Sequence, residues 1–191
     1  ADLEAFLQVV DQPIAIRSSS LLEDSHYQPF AGVYSTYMIP YISDKYDRLS
    51  MLSNAIKAVY ASVFYRSSKD YMTATSNVID QEKMAIILQE VVGKQHDTRF
   101  YPVISGVARS INYYPIGDEK AEEGTVNLAL GLGKYIVDGG QSLRVSPAHP
   151  NQVLQMSEME MALRDTQTHV LALDMAKMEN GVLDFQKDDG F

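Results

Sequence analysis

PIAIRSSSLLEDSHYQPFAGVYSTYMIP, residues 13–40, passes from an apolar tetrad into one arginine and three serines. An acidic, Pro-interrupted segment follows, and Phe30-Ala31-Gly32 opens a run rich in Tyr and Thr. Ile14–Ile16 reads as a short buried strand and Val33–Ile39 as a second one. An arginine leaving a buried strand is held by its backbone yet can project into a cleft, and its planar fork matches a phosphate group bidentately. Ser18, Ser19 and Ser20 add hydroxyl donors beside Arg17. Gly32 lets the backbone approach a ligand closely, and Thr36 offers a hydroxyl suited to a phosphate oxygen or a metal-bound water. The same residue types allow a plainer arrangement. In it Arg17 pairs with Glu23 or Asp24 at the surface, the serines cap a turn, and Gly32 makes an ordinary strand-to-strand turn.

Outward from this stretch, Leu3, Phe6, Leu7 and Val10 predict an amphipathic helix ending before Pro13. Asp44–Arg48 reads as polar and turn-like. Leu52, Ile56, Val59, Tyr60, Val63 and Phe64 predict a helix, with Ser50 available as its N-cap. Met84–Val92 is an apolar strand broken by Gln89-Glu90, two polar residues that either line a pocket at a strand end or face solvent on an edge. Gly93–Arg99 reads as a polar connection, and Phe100–Ile111 as the hairpin partner of Met84–Val92. Ile116–Gly124 reads as a charged solvent loop. Thr125–Leu130 is a strand entering Gly131-Leu132-Gly133, with Lys134–Val137 opening a helix there. A GxG after a strand is a fragment of a phosphate-binding loop or a simple helix-start turn. Residues 153–163 suit a helix, Thr168–Met175 alternates like a strand, and Asn180-Gly181 marks a turn into Val182–Phe185. Hairpins with few interposed helices point to an α+β fold of mostly antiparallel sheets.

The chain has 191 residues, enough for one domain or two intimate lobes with a real core. Its 16 basic and 25 acidic residues leave a formal charge of −9, which argues against a nucleic-acid or anionic-membrane surface. It has no cysteine, so disulfides and thiolate zinc sites are excluded. No run approaches the roughly 18–20 apolar residues of a membrane span, and a cytoplasmic protein is expected. The start at Ala1 without Met and the plain end at Phe191 raise the expectation of a segment of a longer protein. His26, His96, His149 and His169 show no metal-ligand spacing, and no metal-binding residues are assigned.

The order of these features resembles the N-terminal ATP-binding domain of the phosphoenolpyruvate synthase and pyruvate phosphate dikinase family. The stretches that carry it are IAIRSSSLLED from Ile14, PFAGVYSTYMI from Pro29, LQEVV from Leu88, ISGVARSINYYP from Ile104 and LGLGKYIV from Leu130. The resemblance is strongest over about residues 13–140. It implies an ATP-grasp-like fold, in which two α+β lobes clamp ATP, and places the whole of residues 1–191 in one such domain fragment. It also implies roles by position. Arg17 matches the catalytic arginine on the ATP phosphates, with Ser18 beside it. Gly32 and Thr36 match the loop near those phosphates, and Gln89, Glu90 and Val92 match the strand along adenine and ribose. In the family ATP with Mg2+ phosphorylates a carrier histidine on a swivelling domain of the same chain, which passes the group to a pyruvate-binding domain.

Several positions depart from the family pattern. Ser35 stands where an acidic residue is common, Arg109 replaces an aromatic, Leu130 a Trp and Lys134 a Glu. The family's lysine would precede residue 1, and no clear match to its metal-site carboxylates or carrier-histidine motif is found. The isolated segment is therefore expected to be catalytically incompetent. Two alternatives remain: a related glucan dikinase or antibiotic phosphotransferase, and a degenerate, non-catalytic module that senses nucleotide or mediates assembly.

Overall fold

The computed structural model describes residues 2–20, 23, 34–74 and 83–176. The chain divides into two compact units, Ala1–Val92 with Leu173–Phe191, and Gly93–Ala172.

In the first unit α1 (Asp2–Val9) precedes β1 (Ile14–Ser20), which runs through Arg17 and all three serines. Arg17 therefore sits inside the strand, not at its exit. β2 (Tyr37–Ile39) and β3 (Met84–Glu90) flank β1, and both pair with it antiparallel. The strand expected from Val33 starts only at Tyr37, with Tyr34–Thr36 outside the ladder and Val33 outside the described residues. Ile14, Ile16 and Ile39 have no exposed surface, and each contributes about 1.5–3 kcal/mol by leaving water.

α2 (Lys45–Ser62) and α3 (Arg66–Ala74) follow β2. The helical rhythm of residues 52–63 is present, but the helix starts earlier than the sequence suggests. Asp44, not Ser50, is its N-cap: the carboxylate accepts the N–H groups of Tyr46 at 2.8 Å and Asp47 at 2.9 Å, so the turn-like 44–48 segment is the first helical turn. The buried positions Arg48, Leu52, Ala55, Val59 and Ser62 recur every three or four residues along one stripe. Arg48 is the unexpected member. Its Nη1 donates to Leu7 O at 3.2 Å and Nη2 to Gln12 O at 3.4 Å, tying α2 to the end of α1, and its guanidinium lies 4.5 Å over the Tyr41 ring. Burial pushes this guanidinium below its ordinary range, opposed by Tyr41, Asp11 and Glu90.

In the second unit the expected polar connection Gly93–Arg99 is half of a hairpin, β4 (Lys94–His96) and β5 (Arg99–Tyr101), turning at Asp97, whose φ is +51°. β6 (Ile104–Arg109) begins past Pro102, whose missing N–H cannot serve a ladder. The reading of Phe100–Ile111 as one strand paired with Met84–Val92 is thus corrected: β3 pairs with β1, and β6 pairs with β7 (Thr125–Leu130). β7 in turn pairs with β8 (Leu143–Val145), after the short α4 (Lys134–Val137). This register stacks Gly106, Leu128 and Leu143 on one sheet face and Val107, Asn127 and Arg144 on the other. Residues 153–163 resolve into a 3-10 turn, Leu154–Met156, and α5 (Met159–Asp165); of Thr168–Met175 only Leu173–Asp174 (β9) is strand, and it belongs to the first unit. The Asn180-Gly181 turn lies outside the described residues. Small antiparallel sheets with packed helices give the α+β, ATP-grasp-like fragment that the sequence leads one to expect.

Candidate functional site

The site is built on β1. Strand alternation sends Ile14 and Ile16 into the core and turns Ala15, Arg17 and Ser19 to the opposite face. Across β3, Ala15 pairs with Gln89 and Arg17 with Ile87, so Gln89 is the diagonal neighbour of Arg17 on that face. Arg17 Nη1 donates to Gln89 Oε1 at 3.4 Å, a long and exposed hydrogen bond. On the other side the ladder ends where Ile16 pairs with Tyr37, and Thr36 is the residue just before β2, outside the pairing. Arg17 and Gln89 are thereby brought together on one face, from positions far apart in sequence.

The other expected residues lie elsewhere. Ser18 points opposite to Arg17, and its Oγ donates to Glu23 Oε1 at 2.9 Å. Glu23 Oε2 accepts the Ser20 N–H at 3.0 Å, and Ser20 Oγ accepts the Glu23 N–H at 3.1 Å. The serines do cap a turn, with Glu23 as their partner, while Arg17 among the described residues bonds Gln89 and not that carboxylate. Glu90 pairs with Ile14 on the face away from Gln89, and its charge acts on Arg48. Val92 lies past the end of β3, 82% exposed. β3 is an edge strand among the described residues, and its residues are exposed or half-buried throughout. Met84–Val92 is accordingly not a buried apolar run, and the Gln89-Glu90 interruption sits on an open edge. Gly32 lies outside the described residues.

The second unit supplies two features. Gly131 is buried in the left-handed region at φ +81°, and Gly133 caps α4, so Gly-Leu-Gly is a helix-start turn. Its backbone is taken: Gly131 O accepts Ser105 Oγ at 2.7 Å, and Leu132 N–H donates to Leu171 O at 2.9 Å. The second feature, missed in the sequence, is a buried ionic cluster. Glu119 Oε2 accepts Arg144 Nη2 at 2.7 Å, Asn112 Nδ2 at 2.8 Å and the Ile116 N–H at 3.1 Å. The Arg144 hydrogen bond, joined by those from Asn112 and Ile116 and opposed by burial, lowers the Glu119 carboxyl to about 2. The Ile116–Gly124 stretch is therefore not simply a solvent loop, because Glu119 anchors its middle.

These sites can be compared with known proteins. The profile of the pyruvate phosphate dikinase AMP/ATP-binding domain matches residues 2–186. The chain belongs to that family. As a pyruvate phosphate dikinase AMP/ATP-binding domain, it is the nucleotide-binding part of a kinase-type transferase. No curated protein matches the chain significantly. The dikinase domain's phosphates need positioned cations, and the exposed fork of Arg17 fits that demand. Among the described residues no three His, Asp or Glu side chains gather closely enough to hold an ion. Among the described residues no helix is long and apolar enough to cross a membrane.

Proposed function

We propose that the chain grips ATP for a phosphoenolpyruvate synthase or pyruvate phosphate dikinase-type phosphotransferase. Arg17 is the phosphate-holding cation, Thr36 and the segment from Gly32 donate to the same phosphates, and Gln89 holds the arginine side chain in place. Glu90 and Val92, at the open end of β3, lie along the ribose and base, and Ser18 supports the strand from its other face. The observation that supports this reading is the hydrogen bond that joins Arg17 to Gln89 across β1 and β3, both side chains being exposed. Of the plainer arrangement's two partners for Arg17, Glu23 is engaged by Ser18 and Ser20 instead, and Asp24 lies outside the described residues.

In the parent protein the phosphoryl group of ATP passes to a histidine on another domain, and from that phosphohistidine to pyruvate. Mg2+ is the counter-ion that ATP brings with it. The segment alone binds nucleotide without turning it over, because its sequence shows no match to the family's carrier-histidine motif. Titrating the full chain with ATP, in the presence of Mg2+, tests the reading. Saturable binding is expected; its absence would leave a non-catalytic interaction module as the better account.

A further inference from the structure

We infer that the corner between α2 and α3 is a clamp that sets Thr36 for the nucleotide, with Ser62 as its positioning residue. The inference rests on the phosphate-binding reading of Thr36 and adds what holds that residue. Three anchors fix the backbone around it. Tyr34, 5% exposed, is packed with Val63 and Met72, and Tyr71 and Met84 close around them. The Ser35 N–H donates to Ser62 Oγ at 3.2 Å. The hydroxyls of Tyr37 and Tyr65 meet at 3.5 Å.

Thr36 stands between these anchors, half-buried, with its hydroxyl bonded to no described residue. Ser62 is well suited to be the fixed point. It has no exposed surface, its Oγ donates to Val59 O at 2.7 Å, and its carbonyl accepts Ser68 Oγ at 2.7 Å. With its proton committed to Val59, the hydroxyl is oriented to accept from Ser35. A buried, oriented acceptor on a helix end is a rigid support of the kind that positions a ligand-facing residue.

The test is a double-mutant cycle in the full chain, reading the dissociation constants of ATP and AMP for Ser62→Ala, Thr36→Val and the pair. Ser62→Ala is expected to weaken ATP about 5–20-fold, with AMP changed less than about 2-fold, and to add little once Thr36→Val is present. Ser35→Pro, which removes the donor without touching the buried hydroxyl, is expected to reproduce the selective loss. Ala58→Gly in the same helix, which weakens the helix without touching the Ser62 hydroxyl, should leave the ATP-to-AMP ratio unchanged. Equal weakening of both nucleotides, or effects of Ser62→Ala and Thr36→Val that multiply, would overturn the clamp. Loss of affinity in neither Thr36→Val nor Ser62→Ala would instead remove Thr36 from the nucleotide site.

Discussion

Arg144→Ala is expected to destabilise the protein by about 3–5 kcal/mol in urea unfolding, the range for removing one partner of a buried ion pair. The Glu119 side chain is 2% exposed and that of Arg144 25%, and the two share bonds of 2.7 and 3.2 Å. Arg144 also donates to Asn112 Oδ1 at 3.0 Å and Tyr114 O at 3.1 Å, so one guanidinium closes the whole 112–119 loop. Without it the carboxylate keeps Asn112 and Ile116 as donors but loses its counter-charge. Adding Glu119→Gln should return part of the lost stability, because the uncompensated charge is then gone. A single-variant loss below about 1 kcal/mol would show that the cluster is peripheral to folding.

The same cluster sets an acid limit. Glu119 is held at about 2 in the fold against 4.5 for the ordinary carboxyl. A depressed folded-state value means the contribution is complete above about pH 4.5 and is lost as pH falls towards 2. Its full size is on the order of 3 kcal/mol. Arg144→Ala should flatten this part of the stability–pH curve, which urea titrations at pH 3 and pH 6 would measure.

Gly131→Ala is expected to lower stability by more than about 2 kcal/mol, and Gly133→Ala by much less. Gly131 holds a left-handed φ that a side chain strains. A Cβ there would also stand 2.5 Å from Leu171 O and 2.7 Å from Val170 Cγ1. Moving Leu171 away breaks its bond to Leu132 N–H, and it pulls on Gln167, which brackets Leu130 through bonds of 2.7 and 2.8 Å. At Gly133 the nearest atom to a new Cβ is Ser105 Cβ at 3.5 Å, an ordinary contact. Equal thermal shifts in the two variants would contradict this account of the turn.

The residues that were legible in the sequence are those whose local pattern matches their environment. Leu52 and Val59 fall on the buried stripe of α2, Ile14 and Ile16 alternate correctly, and the glycines before Lys134 open the short helix. The misreadings have physical causes. Asp44 captures two N–H groups and extends α2 backwards, through residues whose polarity suggested a turn. Lys94–His96 carries no apolar alternation, so its strand is visible only through pairing. β3 finds its partner in β1, many residues away, which no local composition reports. Glu119 sits in a charge run that resembles solvent-facing sequence; its one hint is Arg144, a lone charge between Leu143 and Val145. The ordered motifs made Arg17, Thr36 and Gln89 nameable, while the meeting of Arg17 with Gln89 depends on strand register. Ser62 carried no signal in the sequence at all.

The claim that Arg17 is the phosphate-gripping group is open to direct measurement. Its side chain is exposed and bonded to Gln89 alone among the described residues, so truncating it should leave the fold intact. A charge-assisted contact of about 1.5–3 kcal/mol corresponds to roughly a 10- to 150-fold change in affinity. The decisive measurement is calorimetric titration of ATP into the wild-type and Arg17→Ala chains under one salt condition. The result expected is a loss of affinity in that range with an unchanged thermal midpoint; equal affinities would contradict the assignment.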